Sequence, residues 1–240
     1  MKINEDFTRR SRLLDLGRWH ITEFVRSVAA RLPPGTRLLD AGAGECAYKR
    51  FFSHCRYVAM DFGMGETGWI YSNLDAFARM DALPVRDASV DAILCTQVLE
   101  HLDRPWQALP EMHRVLKPGG VLYLTAPMAH PEHQAPYDFF RYTSHGLRSL
   151  CQDAGFRDLE IQAFGGLPTR LAYEIPRLLP LFPGSGLKSG RIRPAGLLML
   201  PVRSAAFVAV RGLQRLLLWA DRFDRERIDP FGWSVIARKS

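Results

Sequence analysis

The sequence has few cysteines, and nothing in their spacing pairs them. The four cysteines are scattered over residues 46–151 and include no Cys-x-x-Cys pair. A disulfide framework or a cysteine-ligated metal site needs regularly and closely spaced thiols, so neither is expected here. We expect reduced thiols, three of them in or beside buried elements.

The chain also lacks a long apolar run free of charge. Its first residues carry charges of both signs and no apolar segment typical of a secretory signal, so we expect a cytoplasmic protein. The longest apolar stretch, roughly residues 197–223, is interrupted by Arg203, Arg211 and Arg215. Three arginines at the centre of a bilayer would cost several kcal/mol, which disfavours a transmembrane helix.

What the chain does contain is the composition of an ordinary globular protein. It has 240 residues, of which 47% are hydrophobic and 24% are charged. That length can bury a full core and suits one elaborated domain or two small ones. The net charge of +7 is unevenly placed, because residues 165–230 hold eleven basic and five acidic side chains. Nearly all of the excess positive charge therefore lies in one segment.

A glycine-containing turn follows the first apolar run. Leu38 and Leu39 lead into Asp40, and Gly42 and Gly44 follow. Glycines permit backbone angles that a side chain forbids and let the main chain approach a ligand closely. A helix is predicted directly after the turn, and its first N–H groups would be unpaired. The pattern indicates a strand that ends in a turn binding a nucleotide-like ligand.

A second apolar run ends in an acid that fits the same kind of site. Asp61 follows residues 57–60 and lies seventeen residues after Gly44. A carboxylate in this position can accept hydrogen bonds from both hydroxyls of a ribose. Residues 42–47 also fit the relaxed dinucleotide-binding pattern with alanine last. From the turn and Asp61 alone, two classes of cofactor remain open.

Strand and helix patterns alternate along the middle of the chain. Such alternation predicts a parallel sheet with helices on both faces and ligands beyond the carboxyl ends of the strands. Strands are predicted near residues 36–40, 56–60, 90–95 and 120–126, with helices near 45–53, 72–77 and 104–116.

The two ends of the chain extend this pattern. A helix is predicted from about residue 7 to 31, another over 143–155, and strands over 158–164 and 232–238. About sixty-seven residues connect the last two strands, too many for an unstructured loop in a compact domain, so this segment should carry helices. The predicted organisation is an N-terminal helical cap (1–35), a cofactor-binding domain (36–164 with 231–240) and a basic, apolar helical insertion (165–230).

Five sequence blocks agree in order and spacing with one family. They are residues 38–46, Asp61, 81–84, 89–102 and 115–124. In this order they resemble the class I S-adenosylmethionine-dependent methyltransferases, specifically type 11, over roughly residues 36–164 and the C-terminus. The resemblance implies an α/β, Rossmann-like, doubly wound sheet of seven mostly parallel strands with an antiparallel last strand. The helical insertion would then lie between the last two strands.

The resemblance also implies a cofactor, S-adenosyl-L-methionine, and residues that bind it. One departure from the family is Cys46, which stands where a third glycine is common. The cofactor-binding residues implied are Asp40, Gly42 and Gly44 around the methionine part, Asp61 at the ribose, Asp81 with the backbone of Ala82 at the adenine amino group, and Gln97 near the methionyl group.

The segment after the fifth strand is the candidate for acceptor chemistry. Residues 133–143 resemble a His-x-x-Pro-x-Asp-x-x-Arg-Tyr-Thr stretch that lies near the acceptor entrance in many type 11 members. This favours His133 over His130 as a general base, with Asp138 orienting it. The alternative is that Asp138 and Arg141 only hold the loop. The candidate substrate-binding residues are His101, Tyr137, Arg141 and Tyr142.

The same region contains residue types that bind metal ions. The histidines at 101, 130 and 133 and Asp138 supply suitable ligand types. No His-x-x-x-His spacing or cysteine pair supports them, so no metal is expected from the sequence.

The second half of the insertion predicts an amphipathic basic helix. At about 100° per residue, four arginines share one arc and aliphatic residues crowd the opposite side. Such a helix would pack on the domain, cover an apolar acceptor, form a homodimer contact, or bind an anionic membrane surface through residues 195–223, which would place the protein at the inner membrane surface. Nucleic acid is disfavoured, because the basic residues accompany aliphatic rather than aromatic side chains. The arginines are Arg203, Arg211, Arg215 and Arg222.

These patterns lead to one expected function and two alternatives. The expected function is transfer of a methyl group from S-adenosylmethionine to an oxygen or carbon of a small amphiphilic or saccharide-containing acceptor. The first alternative is a non-catalytic S-adenosylmethionine-binding module in an assembly. The second is an NAD-dependent oxidoreductase, which would need a Tyr-x-x-x-Lys motif or its equivalent that the sequence does not show.

Overall fold

A computed structural model describes residues 9–65, 68–181 and 200–240, and within these ranges the chain forms one seven-stranded sheet. The strand order is β3-β2-β1-β4-β5-β7-β6. The first five strands in this order run parallel, and β7 pairs antiparallel with both β5 and β6. The strands are β1 (Arg37–Ala41), β2 (Arg56–Asp61), β3 (Ala76–Phe77), β4 (Val90–Thr96), β5 (Leu116–Pro127), β6 (Arg157–Ala163) and β7 (Gly232–Arg238).

Six α-helices accompany the sheet in the described ranges. They are α1 (Arg9–Leu14), α2 (Leu16–Arg31), α3 (Pro105–Val115), α4 (Ser144–Asp153), α5 (Leu167–Glu174) and α6 (Leu200–Ala220). Short 3-10 helices lie at Lys49–Phe52, Leu99–His101, Ile175–Leu181 and Asp221–Phe223.

Side chains at alternate strand positions pack into two hydrophobic cores, one on each face of the sheet. Leu39 and Ile93 lie in the larger core with residues of α3 and α4. Leu38 and Leu94, one position away on the same strands, lie in the smaller core with residues of α2. This is the period-two alternation of a strand buried on both faces. The parallel pairing of β2, β1, β4 and β5 brings their carboxyl ends to one edge of the sheet.

The fold class predicted from the sequence is confirmed. The sheet has seven mostly parallel strands and an antiparallel last strand, and helices occupy the segment between β6 and β7. Three helix predictions differ in detail. The predicted N-terminal helix is broken at Asp15 into α1 and α2, and its first two residues lie outside the described ranges.

The predicted helix at 45–53 is wrong, because only the 3-10 helix Lys49–Phe52 forms there. Cys46 has a φ of 57°, in the left-handed region, and a right-handed helix cannot run through such a residue. The predicted helix at 72–77 is also wrong. Asp75 exchanges hydrogen bonds with the backbone of Ala59, and β3 then extends the sheet beside β2.

By its internal contacts the chain divides into two units. The first contains residues 20–164 and 232–240 and carries the whole sheet. The second contains the described parts of 4–19 and 165–231. Within the second unit, Asp221 accepts hydrogen bonds from the N–H groups of Gly166 (2.8 Å) and Thr169 (3.1 Å) and so caps the start of α5.

The second unit also fixes one face of α6. Gln214 is buried and donates to the carbonyl of Ala172 at 3.0 Å. Arg211 donates to Gln214 and to the carbonyl of Leu13. Residues 195–199 of the proposed membrane-binding segment lie outside the described ranges. No helix in the described part of the chain is both long and apolar enough to cross a membrane.

Candidate functional site at the carboxyl edge of the sheet

The turn after β1 is fastened to the end of β2 by its own backbone. The N–H groups of Gly42 and Ala43 both donate to the carbonyl of Met60, at 2.8 and 3.0 Å. The N–H of Gly44 donates to Asp61 Oδ2 at 2.8 Å. Three successive N–H groups of the turn are thus bonded within the protein and anchor the turn to the end of β2.

Gly42 is required by both its conformation and its surroundings. Its φ is 86°, and a Cβ added there would lie 2.9 Å from Val98 Cγ1 and closer still to Cγ2. Val98 follows β4, so the glycine lets two neighbouring strand ends approach each other. The close contact observed at Gly42 is with a side chain of the next strand connection, and the predicted approach of this turn to a ligand stays a prediction.

Asp61 holds the ends of two loops. Its Oδ2 accepts from Gly44 N–H, and its Oδ1 accepts from Gly63 N–H at 2.7 Å. A carboxylate oxygen accepts more than one hydrogen bond, so both oxygens keep capacity for further donors. Asp61 is half-buried, which leaves it accessible from one side.

Asp40 is a fully buried carboxyl group beside the turn. The hydroxyl of Tyr57 donates to Oδ2, while Oδ1 has no partner among the described residues. Burial raises the pKa of Asp40 to about 7, although the hydrogen bond from Tyr57 opposes that rise. A cationic group placed against Oδ1 would favour the charged form of this carboxyl.

Asp81 and Ala82 are already engaged with Arg79. The Arg79 guanidinium donates to both carboxylate oxygens of Asp81, at 2.9 and 2.7 Å, and this pairing lowers the pKa of Asp81. The N–H of Ala82 donates to the Arg79 carbonyl at 3.2 Å. A ligand amino group would have to share Asp81 with this arginine.

Gln97 links the ends of β4 and β5. Its φ is 55°, its N–H donates to the carbonyl of Thr125, and its Nε2 donates to the hydroxyl of the same residue, each at 3.0 Å. Gln97 thus lies at the same sheet edge as Asp40 and Asp61, and its side-chain amide is hydrogen-bonded to β5.

The loop after β5 is organised around Asp138. Arg141 donates to both of its oxygens, at 2.7 and 2.8 Å, and these bonds hold the pKa of Asp138 well below its usual range. The N–H of His133 donates to Asp138 Oδ2 at 2.9 Å, and His133 Nδ1 lies 3.3 Å from the same oxygen. Arg141 also donates to the carbonyl of His130. Asp138 thus holds the loop through Arg141 and the backbone of His133, and its role in orienting the His133 ring stays a prediction.

Three histidine rings lie in contact in this loop region, at interplanar angles of 72° and 56°. The ring centroid of His133 lies 4.7 Å from that of His101 and 4.4 Å from that of His130. Burial and the neighbouring histidines hold the pKa of His133 below its ordinary value, so the ring is neutral at pH 7. His101 Nδ1 lies 2.5 Å from the carbonyl of Tyr137.

The two tyrosines proposed at the acceptor entrance differ in what they do. Tyr137 contributes its backbone carbonyl to His101. Tyr142 is buried, and its hydroxyl donates to the carbonyl of Leu99 at 2.8 Å. Burial raises the pKa of the Tyr142 hydroxyl, which disfavours its ionisation.

Several residues of this edge were not identified from the sequence. Tyr57 bonds Asp40, and the ring of Trp69 lies where a Cβ on Gly44 would be 2.9 Å away. Tyr57 lies in the apolar run 57–60, which indicated a strand but not the partner of its hydroxyl. Large apolar side chains also lie exposed on β3 and on the segment between β2 and β3: Phe62, Met64, Ile70 and Phe77.

Glu100, which lies within the sequence block 89–102, has a side chain with no hydrogen-bond partner among the described residues. The residue is fully buried, and neither carboxylate oxygen has a partner among the described residues. Its backbone carbonyl accepts from the N–H of Phe139 at 2.8 Å, which joins the β4 end to the loop after β5.

Comparisons with known proteins match the part of the chain that contains the end of β1, the whole of β2 and β4 and the turns after these strands. Residues 39–124 match the model of a methyltransferase domain family. An uncharacterized methyltransferase of Mycobacterium tuberculosis (strain ATCC 25618 / H37Rv) is 38% identical over 101 residues, which cover 39% of this chain and 40% of that protein. The chain therefore matches well under half the length of this curated relative.

Solved structures show the same fold at low identity. A SAM-dependent methyltransferase from Archaeoglobus fulgidus has a TM-score of 0.58 at 14% identity, with 98% of this chain and 100% of that chain covered. The [4+2]-cyclase SpnF has a TM-score of 0.54 at 20% identity, with 90% and 79% covered. Residues 39–124 thus match the methyltransferase domain family, and the chain has the same fold as a SAM-dependent methyltransferase of known structure.

Proposed function

We propose that this protein transfers a methyl group from S-adenosylmethionine to an oxygen or carbon of a small acceptor. The observation that carries the proposal is the pairing of a self-bonded glycine turn with a buried carboxyl. The N–H groups of Gly42, Ala43 and Gly44 are all used within the protein, and Asp40 Oδ1 has no partner among the described residues. This edge offers negative charge and few free N–H donors.

The charge of the edge discriminates between the two cofactor classes. The pyrophosphate of a dinucleotide binds unpaired N–H groups at a helix N-terminus. Residues 42–52, all of them described, contain no α-helix and supply no such terminus. A ligand with a sulfonium and an ammonium group is favoured instead by the carboxyl groups of Asp40 and Asp61.

The remaining cofactor contacts are proposed from the same edge. Asp61 keeps acceptor capacity for ribose hydroxyls while it holds Gly44 and Gly63. Asp81 and the backbone of Ala82 would receive the adenine amino group beside Arg79. Gln97 lies at the end of β4 and would contact the methionyl part from there.

The chemistry that S-adenosylmethionine supplies when bound is an electrophilic methyl group. The protein's contribution to such a transfer is positioning and the exclusion of water more than a reactive group. A hydroxyl acceptor needs a base as well, and His133 fits that role, because its ring is neutral at pH 7 and Asp138 is within 3.3 Å of Nδ1. His130, in ring contact with His133, is the second candidate.

The acceptor class is proposed as a small amphiphilic or saccharide-containing molecule. Its polar part would meet the histidines and Arg141 of the loop after β5, with His101, Tyr137 and Tyr142 beside them. Its apolar part would contact exposed side chains such as Phe62, next to Asp61 in the sequence, and Phe77, paired with Asp61 in the sheet. An oxygen acceptor is favoured over a carbon acceptor by the presence of a neutral histidine.

A non-catalytic role remains the main alternative, since a fold does not determine activity. SpnF, with this fold, is described as a [4+2]-cyclase. The NAD-dependent alternative is disfavoured by the bonded turn. A direct test is incubation with methyl-labelled S-adenosylmethionine and panels of small hydroxylated acceptors. Label in a small product that disappears in Asp61→Ala supports methyl transfer, whereas cofactor binding with no transfer to any acceptor supports a binding module.

The partners proposed for the second unit concern α6. Its outward side chains include the apolar Val208, Leu216 and Trp219 together with the basic Arg215. Apolar and basic groups on one exposed surface suit the anionic face of a membrane, which would make the protein peripheral at the inner membrane surface. A homodimer contact through the same helix is the alternative outcome of the vesicle test given below.

A further inference from the structure

Three potential metal ligands meet where the ends of β4 and β5 are joined. One donor atom each from Glu100, His101 and His133 lies within 4.8 Å of the other two. Glu100 and His101 belong to the 3-10 helix that follows β4, and His133 belongs to the loop that follows β5. More than thirty positions separate Glu100 and His101 from His133 in the sequence, so the cluster cannot be recognised from the spacing of its residues.

Glu100 supplies the strongest indication that this cluster has a ligand. Its side chain is fully buried, and both carboxylate oxygens lack a hydrogen-bond partner in the described part of the chain. A buried carboxyl group without partners costs free energy whether it is charged or neutral, and native proteins seldom retain one. A bound cation would satisfy both oxygens and compensate the charge.

In both histidines Nδ1 lies beside a backbone carbonyl, as it does in many ligating histidines. His101 Nδ1 lies 2.5 Å from the carbonyl of Tyr137, and its Nε2 is buried without a partner among the described residues. His133 Nδ1 lies 3.2 Å from the carbonyl of Pro131 and 3.3 Å from Asp138. A proton on Nδ1, bonded to a carbonyl or carboxylate, leaves the Nε2 lone pair for an ion, which is how most ligating histidines are fixed.

We propose that Glu100, His101 and His133 form a binding site for one divalent transition-metal ion, of which Zn²⁺ is the representative. Two imidazoles and one carboxylate form a donor set that binds transition-metal ions in preference to Mg²⁺ or Ca²⁺, because the latter two take oxygen ligands. Donors bound at about 2.1 Å around one ion lie about 3.4 Å apart, so the three donors would move together by roughly 1 Å. Three protein ligands leave at least one coordination position open.

The position of the site gives the ion a role if the proposed methyl transfer is correct. Val98, which packs on Gly42 of the cofactor turn, is only two residues before Glu100. An acceptor hydroxyl bound at the open position would lose its proton more readily, because the ion stabilises the oxyanion. His133 would then be a ligand, and His130 would be the group left to take the proton. This role rests on the proposed function, whereas the binding of the ion does not.

The test measures metal binding by the full chain directly. Protein freed of metal with a chelator is titrated with Zn²⁺ by calorimetry and with Co²⁺ by visible absorption, which reports nitrogen and oxygen coordination. We expect one ion per chain and no displacement by excess Mg²⁺. Glu100→Gln and His133→Asn should each weaken binding by at least about 100-fold. The control His145→Asn, an exposed histidine on α4, should bind as the wild type does.

Two results would overturn the proposal. One is the absence of stoichiometric Zn²⁺ or Co²⁺ binding by folded wild-type protein. The other is binding that persists unchanged in both Glu100→Gln and His133→Asn, which would place the ion elsewhere. Circular dichroism of each variant confirms that it is folded, and two different substitutions guard against a folding defect in either one. Binding of S-adenosylhomocysteine, measured in the same samples, tests the proposed function separately, so that either claim can fail alone.

Discussion

At the scale of single residues, the site depends on carboxyl groups in unequal environments. Asp61 is half-buried and accepts from two backbone N–H groups. Asp40 is fully buried beside Tyr57 and has one oxygen without a partner in the described ranges. Such a difference lets one carboxylate hold neutral hydroxyls while the other responds to the charge of the ligand.

The affinity for S-adenosylmethionine should therefore rise with pH around neutrality. Burial places the pKa of Asp40 at about 7 in the free protein, so the group is largely protonated at pH 6 and largely ionised at pH 8. A cationic ligand binds the ionised form better, so calorimetry should show tighter binding at pH 8 than at pH 6. Asp40→Asn should remove most of this difference. An unchanged pH dependence in the variant would mean that Asp40 does not sense the ligand.

Asp61→Ala should weaken binding of S-adenosylhomocysteine by about 10- to 100-fold, equivalent to about 1.5–3 kcal/mol for charge-assisted hydrogen bonds. The loss has two parts, because Asp61 also fixes Gly44 and Gly63. Asp103→Ala, which removes an exposed acid, is the matched control. Equal affinity in both variants, measured by calorimetry, would remove Asp61 from the site.

Sequence patterns indicate residues at the ends of strands and in turns, but they do not indicate which residues meet through tertiary contacts. Asp40, the glycines and Asp61 were found because apolar runs end at them. The bonding of Asp81 to Arg79 and the meeting of Glu100 with His133 depend on how loops fold back. Spacing along one segment carries no information on such contacts. The roles of these residues stay predictions until variants are measured.

At the scale of elements, apolar periodicity located the long strands and helices, and backbone conformation decided the rest. β7 runs over 232–238, as predicted, since both of its faces are buried. The helix expected at 45–53 failed because Cys46 adopts a left-handed conformation, and β3 formed where a helix was expected because it pairs with β2. Neither event leaves a signal in hydrophobic spacing.

Gly42→Ala should destabilise the protein by about 2–5 kcal/mol, the sum of left-handed strain and overpacking against Val98. Gly35→Ala is the matched control, because Gly35 has a similar φ of 80° and open space around it. Gly35→Ala should lower the free energy of unfolding by only the cost of the strain, about 1–2 kcal/mol. The double variant Gly42→Ala/Val98→Ala should unfold at higher denaturant than expected from the two single changes. Simple additivity would show that the Val98 contact does not set the requirement for glycine.

At the scale of the whole molecule, basic charge and exposed apolar side chains coincide in the sequence between β6 and β7. Arg211 is bonded inside the second unit, so it is not available to a partner. Arg215 is exposed on α6, and Arg222 lies over the ring of Trp219 at 4.2 Å. Substitution of Arg215 and Arg222 therefore tests binding to a membrane surface better than substitution of Arg211 does.

The protein should sediment with vesicles that contain anionic lipid and be released as salt shortens the Debye length to a few Å. Arg215→Gln/Arg222→Gln should weaken this binding by about 1 kcal/mol per charge. Arg56→Gln/Arg104→Gln, exposed arginines of the first unit, removes the same charge and should bind normally. If vesicles recruit no protein at any salt concentration, the membrane interpretation is wrong, and a concentration-dependent dimer by sedimentation would assign α6 to self-association.

The central claim is that the turn after β1 and its carboxyl groups bind S-adenosylmethionine and not a dinucleotide. Calorimetry of the full chain with S-adenosylmethionine, S-adenosylhomocysteine and NAD under one set of conditions tests it most directly. We predict micromolar dissociation constants for the first two ligands and no measurable heat with NAD, since Gly42, Ala43 and Gly44 have no N–H left for a pyrophosphate. Binding of NAD without binding of either sulfur-containing ligand would contradict the account.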